Sequence, residues 1–71
     1  MPFNIDPATK AQLLQERINQ LNLEGYQHEL NRKTAEAINN PDGITQADQA
    51  IAIIETAITV AQTELDAIPA I

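Results

Sequence analysis

Eight apolar positions in the C-terminal part of the chain, Ile44, Ala47, Ile51, Ile54, Ile58, Ala61, Leu65 and Ile68, are separated alternately by three and four residues. That spacing returns a stripe of side chains to one side of an α-helix, with Ile44, Ile51, Ile58 and Leu65 at heptad position a and Ala47, Ile54, Ala61 and Ile68 at d. Alanine at two of the d positions lets a neighbouring helix come close. A second apolar row runs beside the first, with Ala50 and Ala57 at g and Ile53, Val60 and Ala67 at c. A stripe covering both rows is too broad for one partner helix, so this segment is expected to touch at least two others.

The N-terminal half carries a different pattern. Ala11, Leu14, Ile18 and Leu21 share one helical face, while Leu23, Tyr26, Leu30 and Ala37 share another, roughly 150° around the axis. The change of face falls just before Gly25. Either the helix breaks there, giving three short helices, or it runs on and each half faces a different neighbour. Glycine inside a helix costs only about 1 kcal/mol relative to alanine. Tyr26-Gln27-His28 also offers no preferred N-cap with which to restart a helix. A continuous or mildly kinked helix is therefore the expectation.

Turn chemistry sets the boundaries. Asp6-Pro7 pairs a capping acceptor with a proline at the first helical position, so a helix is predicted over residues 7–39 behind an extended arm at residues 1–6. Asn39-Asn40-Pro41-Asp42-Gly43 gathers turn formers, which predicts a turn at 40–44. A second helix is predicted over 45–68, opened by the capping-box-like Thr45-Gln46-Ala47-Asp48 and stopped by Pro69. The fold class is all-α: a helical hairpin with an N-terminal arm, expected to self-associate into a four-helix bundle. The alternative is a monomeric three-helix bundle broken near Gly25.

Size strengthens the expectation of a partner. A chain of 71 residues buries only about 60% of the surface its unfolded form exposes. Small scaffolds usually compensate with disulfides, a metal or a second subunit. Cysteine is absent and there is one histidine, so disulfides and a zinc site within one chain drop out, leaving oligomerisation. The N-terminus has neither the basic nor the apolar region of a secretory signal, and no apolar run approaches the ~20 residues of a membrane span. No membrane association is expected, and the cytoplasm is the default location.

The net charge of −6 is unevenly spread. Residues 1–33 balance four basic groups against four acidic ones, whereas residues 34–71 hold six carboxylates and no lysine or arginine. An acidic surface repels phosphate, which argues against nucleic acid as a partner. Asp48, Glu55, Glu64 and Asp66 form a candidate acidic face that either keeps the chain dispersed or docks on a basic protein.

Candidate chemistry is sparse. His28 has Glu24 and Arg32 as helical neighbours, so a surface pair is expected, with no nucleophile to partner it. Asn40-Pro41-Asp42-Gly43 resembles part of a calcium loop, but Ile38 and Gln49 would stand where acidic ligands are required. Arg32 and Lys33 are the only basic cluster, and pairing of Glu29 with Lys33 at i,i+4 accounts for it. No catalytic residue, cofactor or metal is predicted.

Phe3 and Ile5 are large apolar groups in an arm too short for its own core. They either fold over the open end of the bundle or anchor the arm in a groove on another protein. Small helical hairpins of this composition occur among bacterial and bacteriophage accessory proteins, although no motif ties the chain to one. The functional expectation is a structural or assembly protein without catalysis. Its interaction seam would be Ile51, Ile54, Ile58, Ala61, Leu65 and Ile68, and its second apolar face Ala50, Ile53, Ala57 and Val60. The alternative is an acidic helical regulator or inhibitor that occludes a basic site on a target protein.

Overall fold

A computed structural model describes residues 4–69. They form two antiparallel helices, α1 (Pro7–Ala37) and α2 (Pro41–Asp66), with no strand among the described residues. Helix α1 begins as its sequence dictates: Asp6 is in an extended conformation and its Oδ1 accepts the Thr9 backbone N–H at 2.7 Å, with Pro7 directly inside the helix. Thr9, through its side chain and then this backbone bond, holds the Asp6 carboxyl below its ordinary pKa.

Helix α1 runs without interruption through Gly25, so the three-helix alternative does not describe this chain. The apparent change of face is resolved by residue types that hydrophobicity does not flag. Ala11, Leu14, Ile18 and Leu21 are followed on the same seam by Gly25, His28, Arg32 and Ala35, at the same alternation of three and four residues. Ile18, Leu21 and Ala35 are buried, and Ala11, Leu14, Gly25, His28 and Arg32 are half-buried. Leu23, Tyr26 and Leu30 stay exposed on the outer side.

The connection is shorter than the turn formers suggest, and α2 starts at Pro41 rather than Thr45. Asn39 takes a left-handed conformation (φ 55°), which asparagine tolerates better than most residues. The Asn40 N–H donates to the Ala35 carbonyl at 2.8 Å and the Asn39 N–H to the Glu36 carbonyl at 3.2 Å, closing α1 with a Schellman pair. Asn40 then caps α2, its Oδ1 accepting the Gly43 N–H at 3.1 Å. Pro41, Asp42, Gly43 and Ile44 thus form the first helical turn, and the Thr45 hydroxyl donates back to the Pro41 carbonyl at 3.1 Å instead of capping. Helix α2 ends at Asp66 with Ala67 as its C-cap, just short of Ile68.

The helices meet along their seams. Ala47, Ile54 and Ala61 of α2 are buried, and Ile44, Ile51, Ile58, Leu65 and Ile68 are half-buried. Three contacts fix the register: a Cβ added at Gly25 would lie 3.5 Å from Ile54 Cγ2, one at Gly43 would lie 3.0 Å from Ala35 Cβ, and Arg32 Nε bonds Asp48 Oδ1 at 2.6 Å. The molecule measures 50 × 18 × 17 Å, with a radius of gyration of 16.0 Å. A compact domain of this length would have a radius near 11 Å. Among the described residues the buried core is Ile18, Leu21, Ala35, Ala47, Ile54 and Ala61, half of them alanines, and no described side chain is completely enclosed.

Candidate interaction surface

The two seams divide the remaining surface into two long sides. One side joins the g and c lanes of α2 to the equivalent lanes of α1. Ala50 and Ala57 lie half-buried at its edge, while Ile53 (70% exposed) and Val60 (57%) project from it. Leu13 (49% exposed) and Ile38 (65%) stand in the α1 lanes of this side, near the open end and the turn end respectively. Two grooves mark its ends. At the turn, a groove of about 360 Å³ is lined by His28, Asn31, Thr34, Ile38, Gly43 and Gln46, among others. At the open end, one of about 190 Å³ is lined by Pro7, Lys10, Glu64, Ala67, Ile68 and Pro69.

The opposite side is mixed. A groove of about 230 Å³ between the helices has a floor of Leu21, Gly25, Ile51, Ile54 and Ile58, with Asn22, Tyr26, Glu29 and Glu55 at its rim. Toward the turn, Arg32 bridges the helices, bonding Asp48 on α2 and Glu36 one turn along α1. The hydrogen bond and charge of Asp48, with the charge of Glu36, raise the Arg32 pKa above its already high value. The expected Glu29–Lys33 pair is not formed; the ion pairs among the described residues are the two that Arg32 makes. His28 likewise makes no surface pair with Glu24 or Arg32, and sits half-buried in the seam beside the turn-end groove.

The four acidic residues do not share one open face. Asp48 is engaged by Arg32. Glu55 and Asp66 lie on that same side of α2, with Asp66 accepting from Gln62 Nε2 at 2.9 Å, whereas Glu64 lines the open-end groove across the helix. Ile5 is 42% exposed beyond the α1 cap, and Phe3 lies outside the described residues.

No group of acidic or histidine side chains among the described residues is arranged to hold a metal ion, and no buried polar side-chain atom among them lacks a partner. Among the described residues no helix is long and apolar enough to cross a membrane. What sequence reasoning missed was the polar half of the α1 seam. Carrying the spacing of Ala11, Leu14, Ile18 and Leu21 forward by position, whatever the residue type, leads directly to Gly25, His28, Arg32 and Ala35. No family model, no curated protein and no solved structure matches the chain.

Proposed function

We propose that this chain is a non-catalytic assembly module that works by packing the outer apolar row of α2 against another helix. The observation that carries this reading is the exposure of Ile53 and Val60 on a hairpin in which only six of the described residues are buried. Burying a side chain of that size is worth roughly 1.5–3 kcal/mol, a large increment for a fold with so little interior. The elongated outline points the same way, because a two-helix rod has no third layer to cover its second stripe.

The regulator reading requires a patch of free carboxylates. Asp48 is already paired with Arg32 and Glu64 faces away from Glu55 and Asp66, so that reading has less support.

Light scattering on the purified chain, with and without the double substitution Ile53→Asp and Val60→Asp, tests the proposal. Both sites face solvent in the hairpin, so the substitutions strike the outer row and not the seam. The expected result is an oligomer that persists from low to high salt, since apolar contacts are not screened, and that the substituted chain fails to form. A monomeric parent with the same helicity as the variant would overturn the reading.

A further inference from the structure

The outer row of α2 has a symmetry that selects its occupant. Its positions, Gly43, Gln46, Ala50, Ile53, Ala57, Val60, Glu64 and Ala67, keep the alternation of three and four residues over the whole helix. Turning a second copy about a two-fold axis at the height of Glu55 sets Ile53 of one copy against Ala57 of the other, and Ala50 against Val60. Antiparallel helices pack by this offset, each a-like position opposite a d-like one. The two apolar levels nearest the axis each join a β-branched side chain to an alanine, a large-with-small match that lets two backbones approach without voids or overlap, and at the ends Gly43 meets Ala67. The one charge in the row, Glu64, meets Gln46, a hydrogen-bond donor, and no two carboxylates of the row are opposed.

The hairpin's register adds an independent observation. Gly25 lies level with Ile54 and Arg32 level with Asp48, so α1 heights follow from α2 heights. The same two-fold brings Leu13 of one copy to within about one helical turn of the height of Ile38 of the other, on the same side of the molecule, and brings Glu24 of the two copies near each other at the axis. Leu13 and Ile38 are exposed in the hairpin, at 49% and 65%. A single operation thus covers two otherwise solvated large apolar groups of α2, Ile53 and Val60, and sets Leu13 and Ile38 of opposite copies on one lane.

From this we infer that the partner is a second copy of this chain, bound antiparallel through the outer row of α2 in an isologous dimer with its axis at the height of Glu55. The inference rests on the assembly reading above and names its occupant and geometry.

The chain lacks cysteine, so single cysteines at Gln49, Thr56 and Thr63, all exposed and all on the same outward lane of α2, accept one spin label each. With 1.5 Å of rise per residue, the antiparallel pairing separates the two labels along the axis by about 18 Å at residue 49, about 3 Å at 56 and about 24 Å at 63. Dipolar distances should therefore be shortest at 56, longer at 49 and longest at 63. Equal distances at all three sites, or a minimum elsewhere, would overturn this pairing while leaving the assembly reading intact. A monomeric chain would sink both. A second measurement tests the residue pairing: Ile53→Ala leaves small against small and Ala57→Ile large against large, so each alone should dimerise at least tenfold more weakly. An equimolar mixture restores both matches in the heterodimer and should recover parental affinity. Failure of the mixture to do better than either variant would overturn the Ile53–Ala57 contact.

Discussion

The two glycines stand in the same kind of backbone, yet replacing them should have opposite effects. At Gly25 an added Cβ meets only Ile54 Cγ2 at 3.5 Å, an ordinary contact, so Gly25→Ala should stabilise the hairpin by about 0.5–1 kcal/mol through helix propensity. At Gly43 the added Cβ would lie 2.9 Å from Asn40 Nδ2 and 3.0 Å from Ala35 Cβ. The first contact disturbs the cap and the second pushes the helices apart, so Gly43→Ala should destabilise. Paired urea melts followed by circular dichroism check both signs, and a loss of stability at Gly25 would contradict the packing described. Asp6 adds a pH test. Its pKa is lowered in the folded state, so its contribution is complete above the ordinary carboxylate value and fades as pH falls through the lower folded value. Asp6→Asn keeps a capping oxygen that does not titrate, so acidification should cost the variant less stability than the parent. Equal losses between neutral and strongly acidic pH would remove this role from Asp6.

At the scale of elements, the α2 stripe was legible because its seam residues are aliphatic and evenly spaced. The α1 seam was half legible: its second part is glycine, histidine, arginine and alanine, chosen for closeness and for reaching Asp48. A hydrophobic periodicity therefore leads away from it, toward the exposed Leu23, Tyr26 and Leu30. The second helix start was hidden for a different reason. Asn39 and Asn40 read as loop formers, but one ends α1 and the other begins α2, leaving the proline inside the helix instead of in a turn. The outer row, by contrast, was plain in the sequence, because c and g positions with no charge before Glu64 are unusual on a solvated helix face. Since Asn40 serves both helices, Asn40→Ala should lose about 1 kcal/mol or somewhat more, because the side-chain cap disappears while its backbone bond to Ala35 survives. An unchanged melting curve would show that the Gly43 N–H is satisfied another way.

For the whole molecule, the short connection governs what shapes are open to the chain. Two-helix rods can in principle unfold at the bend, straighten into one long helix and trade halves with a neighbour. Here Asn39 would have to leave its left-handed conformation, and Pro41 would then lie in a helix interior. There its ring collides with the carbonyl of Ala37 and supplies no N–H, at about 3 kcal/mol. That penalty falls only on the straightened form, since in the bent form the same proline occupies a first-turn site where it is favoured. Pro41 therefore acts as a latch against arm exchange, holding the chain in its closed form.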